Sequence, residues 1–196
     1  MTIRVRSLTD TQERHAAIPA LSDLRIRIFR GWPYLYDGTA DYEAAYLAEY
    51  MSEPNAVLIV ATDDDAVIGA ATASPMAGQK AEFQLPLLDY GLDVARIFYF
   101  GESVLLPDYH GQGIGHQFFD AREAAARAAG ADQAAFCAVV RPPDHPMRPD
   151  APRDLAPFWR ARGYAPLEGL TTMLKWQDLG DAVESPHQMQ FWMRDL

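Results

Sequence analysis

The chain contains Leu105-Leu106-Pro107-Asp108-Tyr109-His110-Gly111-Gln112-Gly113-Ile114-Gly115 between an apolar segment, residues 96–106, and an alanine-rich segment, residues 116–129. Three of the 13 glycines of the chain, Gly111, Gly113 and Gly115, lie within five consecutive residues of this stretch. Because glycine has no Cβ, the backbone here is open to a ligand, and the first N–H groups of a following helix lack an intrahelical acceptor. A helix N-terminus also favours negative charge. The stretch therefore predicts a strand, a loop and a helix that bind a phosphate or pyrophosphate; a tight turn without a ligand is the alternative.

The spacing of these glycines disfavours two common nucleotide-binding loops. A dinucleotide fingerprint, G-x-G-x-x-G, that starts at Gly111 would end at His116, and one that starts at Gly113 would end at Phe118. The sequence also contains no Gly-Lys-Ser/Thr, so the P-loop pattern is absent. A Rossmann-type oxidoreductase is therefore a weak alternative.

The quoted stretch resembles the acyl-CoA loop of the GNAT superfamily of N-acyltransferases. The family pattern is Arg/Gln-x-x-Gly-x-Gly/Ala after a strand that ends in a Val-x-Pro-like segment. Gly113 and Gly115 match this pattern, whereas His110 stands where arginine or glutamine is usual. Residues 156–164, Ala-Pro-Phe-Trp-Arg-Ala-Arg-Gly-Tyr, resemble the second motif of the family, a short helix that ends in Gly-aromatic. The order of the predicted elements also fits, so the resemblance covers nearly the whole chain.

The resemblance implies a single GNAT-like domain over residues 1–196. Its class would be α/β (α+β), with a mixed, mostly antiparallel sheet of six to seven strands that is flanked by helices and splayed between the fourth and fifth strands. The implied activity is transfer of an acyl group, with acetyl expected, from acetyl-CoA to a primary amine of a small molecule or peptide, by direct attack in a ternary complex. The alternative from another class is a non-catalytic acyl-CoA-binding sensor. Family members are often homodimers.

The resemblance also assigns the acyl-CoA contacts. Backbone N–H groups of the glycine loop would hold the pyrophosphate, and the end of the preceding strand would pair with the pantetheine arm as an added strand does. His110 would either add partial positive charge or be a neutral surface residue. The predicted cofactor-binding residues are Val104, Leu105, Leu106, His110, Gly111, Gln112, Gly113, Ile114 and Gly115.

A carboxylate interrupts the apolar strand at Gly101-Glu102-Ser103. A buried carboxylate without a partner is costly or becomes neutral through a raised pKa, and a glycine within a strand often marks a bulge or a close approach. In GNAT-like proteins the sheet splays at such a place. Glu102 is therefore the predicted general base that deprotonates the acceptor ammonium. The alternative is a structural glutamate paired with an arginine such as Arg96 or Arg141.

The general acid and the acceptor pocket are less well marked. Trp159 stands where the family often has a tyrosine that protonates the leaving thiolate. Indole cannot act as an acid at neutral pH, so solvent or Ser103 would supply that proton. Tyr164 is expected in the core.

The acceptor pocket is expected to involve the aromatic loop of residues 31–38. Its aromatics would hold a cationic or aromatic amine or would instead anchor the loop on the core. Arginines in the 141–148 segment point instead to an acceptor carboxylate, so no acceptor is named. The predicted substrate-binding residues are Trp32, Tyr34 and Tyr36.

Composition limits the class of partner. The chain has 17 Lys and Arg against 27 Asp and Glu, a net charge of −10, and no basic block that would bind nucleic-acid phosphates. It has no apolar run long enough for a membrane span and no signal-peptide core. The single cysteine, Cys137, excludes an internal disulfide, and the five histidines lack metal-ligand spacing. We expect a cytoplasmic protein that uses no metal and binds neither nucleic acid nor membrane.

The remaining segments predict the element order β-α-α-β-β-β-α-β-α-β-β. Asp10 is expected to cap a first helix that Pro19 kinks or restarts. Residues 57–61 and 66–73 predict a β-hairpin, whereas residues 74–95 show no decisive pattern.

Overall fold

The computed structural model describes residues 2–53 and 55–196. Seven strands lie along these residues: β1 (Ile3–Leu8), β2 (Val57–Asp63), β3 (Ala66–Pro75), β4 (Ile97–Leu105), β5 (Gln133–Val139), β6 (Ala165–Trp176) and β7 (Ser185–Asp195). The α-helices there are α1 (Thr11–Phe29), α2 (Ala40–Ser52), α3 (Ala81–Asp89), α4 (Ile114–Ala128) and α5 (Ala156–Ala161).

The strands form one sheet in the order β1-β2-β3-β4-β5-β7-β6. Neighbouring strands are antiparallel except for β4 and β5, which are parallel. That parallel pair is short, since residues 97–99 alone face residues 133–135. Beyond this point β4 continues beside β3, and β5 continues beside β7. The predicted mixed sheet with a splay between the fourth and fifth strands is confirmed.

A β-bulge lies where the polar residues interrupt β4. Ala71 of β3 faces Ser103, and Ala73 faces Phe100, so Thr72 stands opposite both Gly101 and Glu102. The backbone N–H of Glu102 donates to Thr72 Oγ1 over 3.1 Å. The extra residue bends β4 and redirects the Glu102 side chain at the start of the splay, as bulges commonly do.

Helices cover both faces of the sheet. Along β2, Leu58 and Val60 pack in one cluster with residues of α1 and α2, whereas Ile59 and Ala61 pack in another with residues of α4. This alternation follows from the two-residue period of a strand, and both of its faces are apolar because both are covered.

The structure differs from the sequence-based prediction in three local features. α1 runs through Pro19 as a single helix, so the predicted restart does not occur; Leu21 and Leu24, buried against the sheet, hold the helix despite the missing hydrogen bond. α4 begins at Ile114, two residues before the predicted start, because Gly113 is its N-cap. Residues 74–95, which had no assigned element, contain α3, a short helix with an internal proline.

Candidate active site

The glycine loop between β4 and α4 is an open cradle. Gly111 and Gly113 have φ values of 77° and 81°, and a Cβ at either position would meet no atom within 4 Å. The left-handed backbone therefore requires glycine, while the space beside the loop remains open. The first N–H groups of α4, from Ile114 onward, have no acceptor within the helix, and the helix dipole adds positive potential. The loop therefore offers open space and unpaired N–H groups, which are the features that binding of a pyrophosphate would require.

The end of β4 presents a free edge next to this loop. Val104 and Leu105 face Ala70 and Gly69 of β3 on one side. On the other side, β5 has already separated from β4, so this edge has no strand partner within the described residues. An extended ligand can add to such an edge through main-chain hydrogen bonds. The edge predicted for the pantetheine arm therefore has no neighbouring strand in the described part of the chain, and the carbonyl of Leu105 on it is bonded to His110 Nε2.

The side chains of the loop mostly bind the loop itself and one neighbouring arginine. Gln112 Nε2 donates to the carbonyl of Asp108 over 3.2 Å. His110 Nε2 lies 3.2 Å from the carbonyl of Leu105, and His110 Nδ1 lies 2.6 Å from Arg153 Nη1. Arg153 comes from the proline-rich segment before α5, and no sequence pattern indicated it.

Glu102 belongs to a buried cluster with one arginine and a second carboxylate. Its Oε2 lies 2.5 Å from Arg25 Nη1, and Arg25 also pairs with Glu43 of α2. The side chain of Glu102 is 11% exposed and that of Glu43 is 0% exposed. Burial lowers the pKa of Arg25, but the carboxylates of Glu102 and Glu43 outweigh this, so the pKa is raised overall. Two carboxylates against one guanidinium leave the cluster with a net negative charge.

The arginine that pairs with Glu102 differs from the two considered in the sequence. Arg96 pairs with Asp132, and Arg141 forms a two-pronged pair with Asp178 over 2.6 and 2.7 Å. Arg25 pairs with Glu102 instead, because α1 packs over β4 and places the Arg25 side chain at the bulge. No local pattern indicated this partner, since Arg25 belongs to a different part of the chain.

A cleft of about 540 Å³ opens above Glu102. Its walls come from α1, α2, α3, β4, β6 and the aromatic loop of residues 31–38. Tyr34 and Tyr36 line the cleft, as do Gly101 and Glu102, whereas Trp32 is not among its lining residues. The indole of Trp32 packs instead against the ring of His145, with centroids 5.4 Å apart.

The aromatic loop is tied to the far end of the sheet. Arg141 donates to the carbonyls of Pro33 and Tyr34 over 2.8 and 2.5 Å while it pairs with Asp178. Trp176 Nε1 also donates to the carbonyl of Tyr34 over 3.0 Å. These bonds use the guanidinium of Arg141, so it serves as an anchor for the loop and is not presented to an acceptor carboxylate.

The cleft holds phenols and one thiol that stay protonated at neutral pH. Burial raises the pKa of Tyr34 to about 12, and it also raises the pKa of the Tyr99 and Tyr50 phenols well above their ordinary value. Burial also raises the pKa of the Cys137 thiol well above its ordinary value. The phenols therefore act as hydrogen-bond donors, and Cys137 is a poor nucleophile.

Trp159 and Tyr164 of the second motif pack in one core cluster, away from the cleft. Trp159 packs edge-on against Phe136 and Trp192, with centroids 5.0 Å away in both cases. Tyr164 is buried, and its hydroxyl donates to Glu123 Oε1 over 3.2 Å. Neither residue lines the cleft, and the core position of Tyr164 agrees with the sequence prediction.

Arg122 of α4 is a further residue that the sequence did not single out. Its guanidinium lies between the rings of Phe100 and Phe119, 4.5 and 4.6 Å from their centroids, and Nη1 donates to the carbonyl of Glu102 over 3.4 Å. Burial lowers its pKa to about 10, so it remains a cation at neutral pH. Arg122 thus supports the bulge from below the sheet, on the side opposite Arg25.

Replacing Gly101 with alanine is expected to destabilise the fold by about 1–3 kcal/mol in urea unfolding. The new Cβ would lie 2.6 Å from Thr72 Oγ1, an atom of a buried, β-branched side chain that cannot easily turn away. Thr72→Ala removes that atom, so G101A/T72A should lose about 1 kcal/mol less than the sum of the single losses. Thr72→Ser keeps the hydroxyl and should give no such relief. Additive losses in G101A/T72A would contradict the contact.

Within residues 2–53 and 55–196, no three side chains of His, Cys, Asp or Glu are grouped so that they could hold a metal ion. None of the helices in the same residues has both the length and the apolar composition needed to cross a bilayer.

A family model described as "Acetyltransferase (GNAT) family" matches residues 19–150. No curated protein sequence matches the chain. Among solved structures, the ribosomal-protein-alanine N-acetyltransferase of Brucella melitensis has a TM-score of 0.62 at 14% identity, covering 98% of this chain and 99% of that one. The protein yncA of Salmonella typhimurium, solved with its cofactor acetyl-CoA, has a TM-score of 0.60 at 12% identity. The match covers 100% of this chain and 95% of that one. The aminoglycoside N-acetyltransferase AAC(6')-Iy, in complex with a CoA-linked bisubstrate analogue, has a TM-score of 0.57 at 16% identity, covering 91% and 99%.

Proposed function

The chain belongs to the GNAT acetyltransferase family, and we propose that it transfers the acetyl group of acetyl-CoA to a primary amine that enters the cleft above Glu102. The position of Glu102 is the chief support. It lines the acceptor cleft, and the next residues of the same strand lead along the open edge of β4 to the glycine loop. Donor and acceptor would therefore meet at the bulge.

Acetyl-CoA would be held by the backbone of the glycine loop and by the open edge from Val104 to Leu106, and it supplies a thioester with an activated carbonyl carbon. Glu102 takes a proton from the acceptor ammonium, directly or through a water, so that the nitrogen has a free lone pair. The nitrogen then attacks the thioester carbonyl carbon and forms the amide bond while the C–S bond breaks. The nitrogen releases its second proton to solvent, and the thiolate takes a proton from solvent. Arg25 keeps the Glu102 side chain directed at the cleft.

Direct attack is favoured over a covalent acetyl-enzyme. Cys137 is the one cysteine of the chain, and burial in the cleft floor keeps its thiol protonated.

The net negative charge of the Arg25–Glu43–Glu102 cluster suits a cationic amine, and Tyr34 and Tyr36 add aromatic surface that can contact such a cation. These features favour an amine acceptor, which we propose to be a small molecule or a peptide.

The proposed function predicts acceptor-dependent release of free thiol. The protein is incubated with acetyl-CoA and a panel of aliphatic amines, aromatic amines, amino acids and peptide N-termini, and both the thiol and the acetylated acceptor are measured. We expect at least one amine to be acetylated, and mass spectrometry should find no acetylated protein when the acceptor is omitted. Tight binding of acetyl-CoA without turnover of any amine would contradict transfer and would favour an acyl-CoA sensor.

A further inference from the structure

His110 in the glycine loop is neutral and holds an arginine. Its Nε2 lies 3.2 Å from the carbonyl of Leu105, and a carbonyl oxygen accepts but never donates, so Nε2 carries the proton. Its Nδ1 lies 2.6 Å from Nη1 of Arg153, which donates but never accepts. One neutral tautomer satisfies both bonds. Partial burial and the positive charge of Arg153 also lower the pKa of His110. His110 therefore adds no charge to the loop, and its ring orients Arg153.

Arg153 brings a positive charge to the edge of the loop. The residue is exposed, and it forms no ion pair with any carboxylate of the residues that the structure describes. A guanidinium has five N–H donors, of which His110 uses one. The others are available for phosphate oxygens, which arginine binds through short, charge-assisted hydrogen bonds.

Three carboxylates lie in or beside the loop. Asp108 is part of it, and Asp63 accepts a hydrogen bond of 3.0 Å from the hydroxyl of Tyr109. This hydrogen bond, together with the charges of Asp63, Asp108 and Asp64, raises the pKa of Tyr109. These carboxylates repel the anionic phosphates of CoA, and a cation at the loop would offset that repulsion.

Packing places Arg153 beside α4 before any ligand arrives. The N–H of Ala156 donates to Asp154 Oδ1 over 2.9 Å at the start of α5. The ring of Phe158 lies 5.0 Å from that of His116, and its Cζ lies 3.5 Å from the position of a Cβ on Gly115. α5 is thus docked on the first turn of α4, which reduces the ordering cost of a contact from Arg153.

We propose that Arg153, oriented by His110, binds a phosphate group of CoA from outside the glycine loop. The inference rests on the CoA binding of the proposed function, so CoA binding to the wild-type protein is measured first. If the wild-type protein does not bind CoA, the proposed function fails as well, whereas an unchanged Arg153 variant would refute this inference alone.

Arg153→Gln is expected to raise the calorimetric Kd for CoA about tenfold and to weaken its dependence on salt concentration. Arg127→Gln removes the same charge from the other end of α4 and should leave the Kd within about twofold. His110→Phe removes the positioning contact without a change in charge, so it should raise the Kd by less than Arg153→Gln and keep the salt dependence. Circular dichroism checks that each variant folds.

Binding of 3'-dephospho-CoA identifies which phosphate of CoA contacts Arg153. An equal loss for CoA and 3'-dephospho-CoA in R153Q assigns the contact to the pyrophosphate, and a loss for CoA alone assigns it to the 3'-phosphate. Wild-type affinity for CoA in folded R153Q, or an equal loss in R127Q, would overturn the proposal.

Discussion

Replacing Gly113 with leucine is expected to raise the Kd for CoA at least about 100-fold while the protein still folds. Gly113 has a φ of 81°, which costs a leucine about 1–2 kcal/mol, and its side chain would enter the open space beside the loop. A pyrophosphate in that space would lose its approach to the N–H groups of α4. Two lost charge-assisted hydrogen bonds of about 1.5 kcal/mol each correspond to about 100-fold in Kd.

Gly130 offers a matched control for this experiment. It follows the other end of α4, its φ is 79°, and a Cβ there would also meet no atom within 4 Å. Gly130→Leu should therefore cost a similar amount of stability but leave the calorimetric Kd for CoA unchanged. If G113L binds CoA as tightly as the wild-type protein, or if G130L loses as much affinity, the assignment of the glycine loop is wrong.

Replacing Glu102 with glutamine is expected to lower kcat about 10²- to 10⁴-fold, with the Kd for acetyl-CoA nearly unchanged. Glutamine has the same shape but cannot take a proton from the acceptor ammonium. The remaining activity should rise with pH, because the amine then loses its proton without help. Steady-state kinetics with the best acceptor of the panel measure both effects.

Glu43 is the matched control for Glu102. It pairs with the same Arg25, so Glu43→Gln removes the same charge from the same cluster, yet its side chain is 0% exposed and does not line the cleft. E43Q is expected to lose stability in urea unfolding and to keep most of its kcat. Turnover in E102Q close to that of the wild-type protein would show that Glu102 has a structural role only.

The glycine loop and the strand before it were predictable because their causes are local. An apolar run predicts a buried strand, and closely spaced glycines predict a backbone that other residues adopt with difficulty. The polar break at residues 101–103 likewise indicated the bulge, since a carboxylate and a glycine fit poorly in a regular buried strand. The start of α4 was misplaced by two residues because a glycine in the left-handed region serves as its N-cap.

The partners of these residues were not predictable because they come from distant parts of the chain. Nothing near Arg25 in the sequence indicates that α1 places it on Glu102, and nothing near Arg153 indicates that the segment before α5 brings it to His110. The aromatic loop shows the same limit. Its sequence marks three candidate aromatics, but the anchoring by Arg141 decides that Tyr34 lines the cleft.

The sequence by itself determined the strand, the glycine loop, the helix after it and the residue types available for chemistry, because backbone preference and apolar periodicity act between near neighbours. The tertiary structure alone decided which charges meet. An ion pair such as Arg25–Glu102, or a contact such as Arg153–His110, depends on the packing of whole helices against the sheet, and that packing is set by apolar surfaces far from the charged groups themselves.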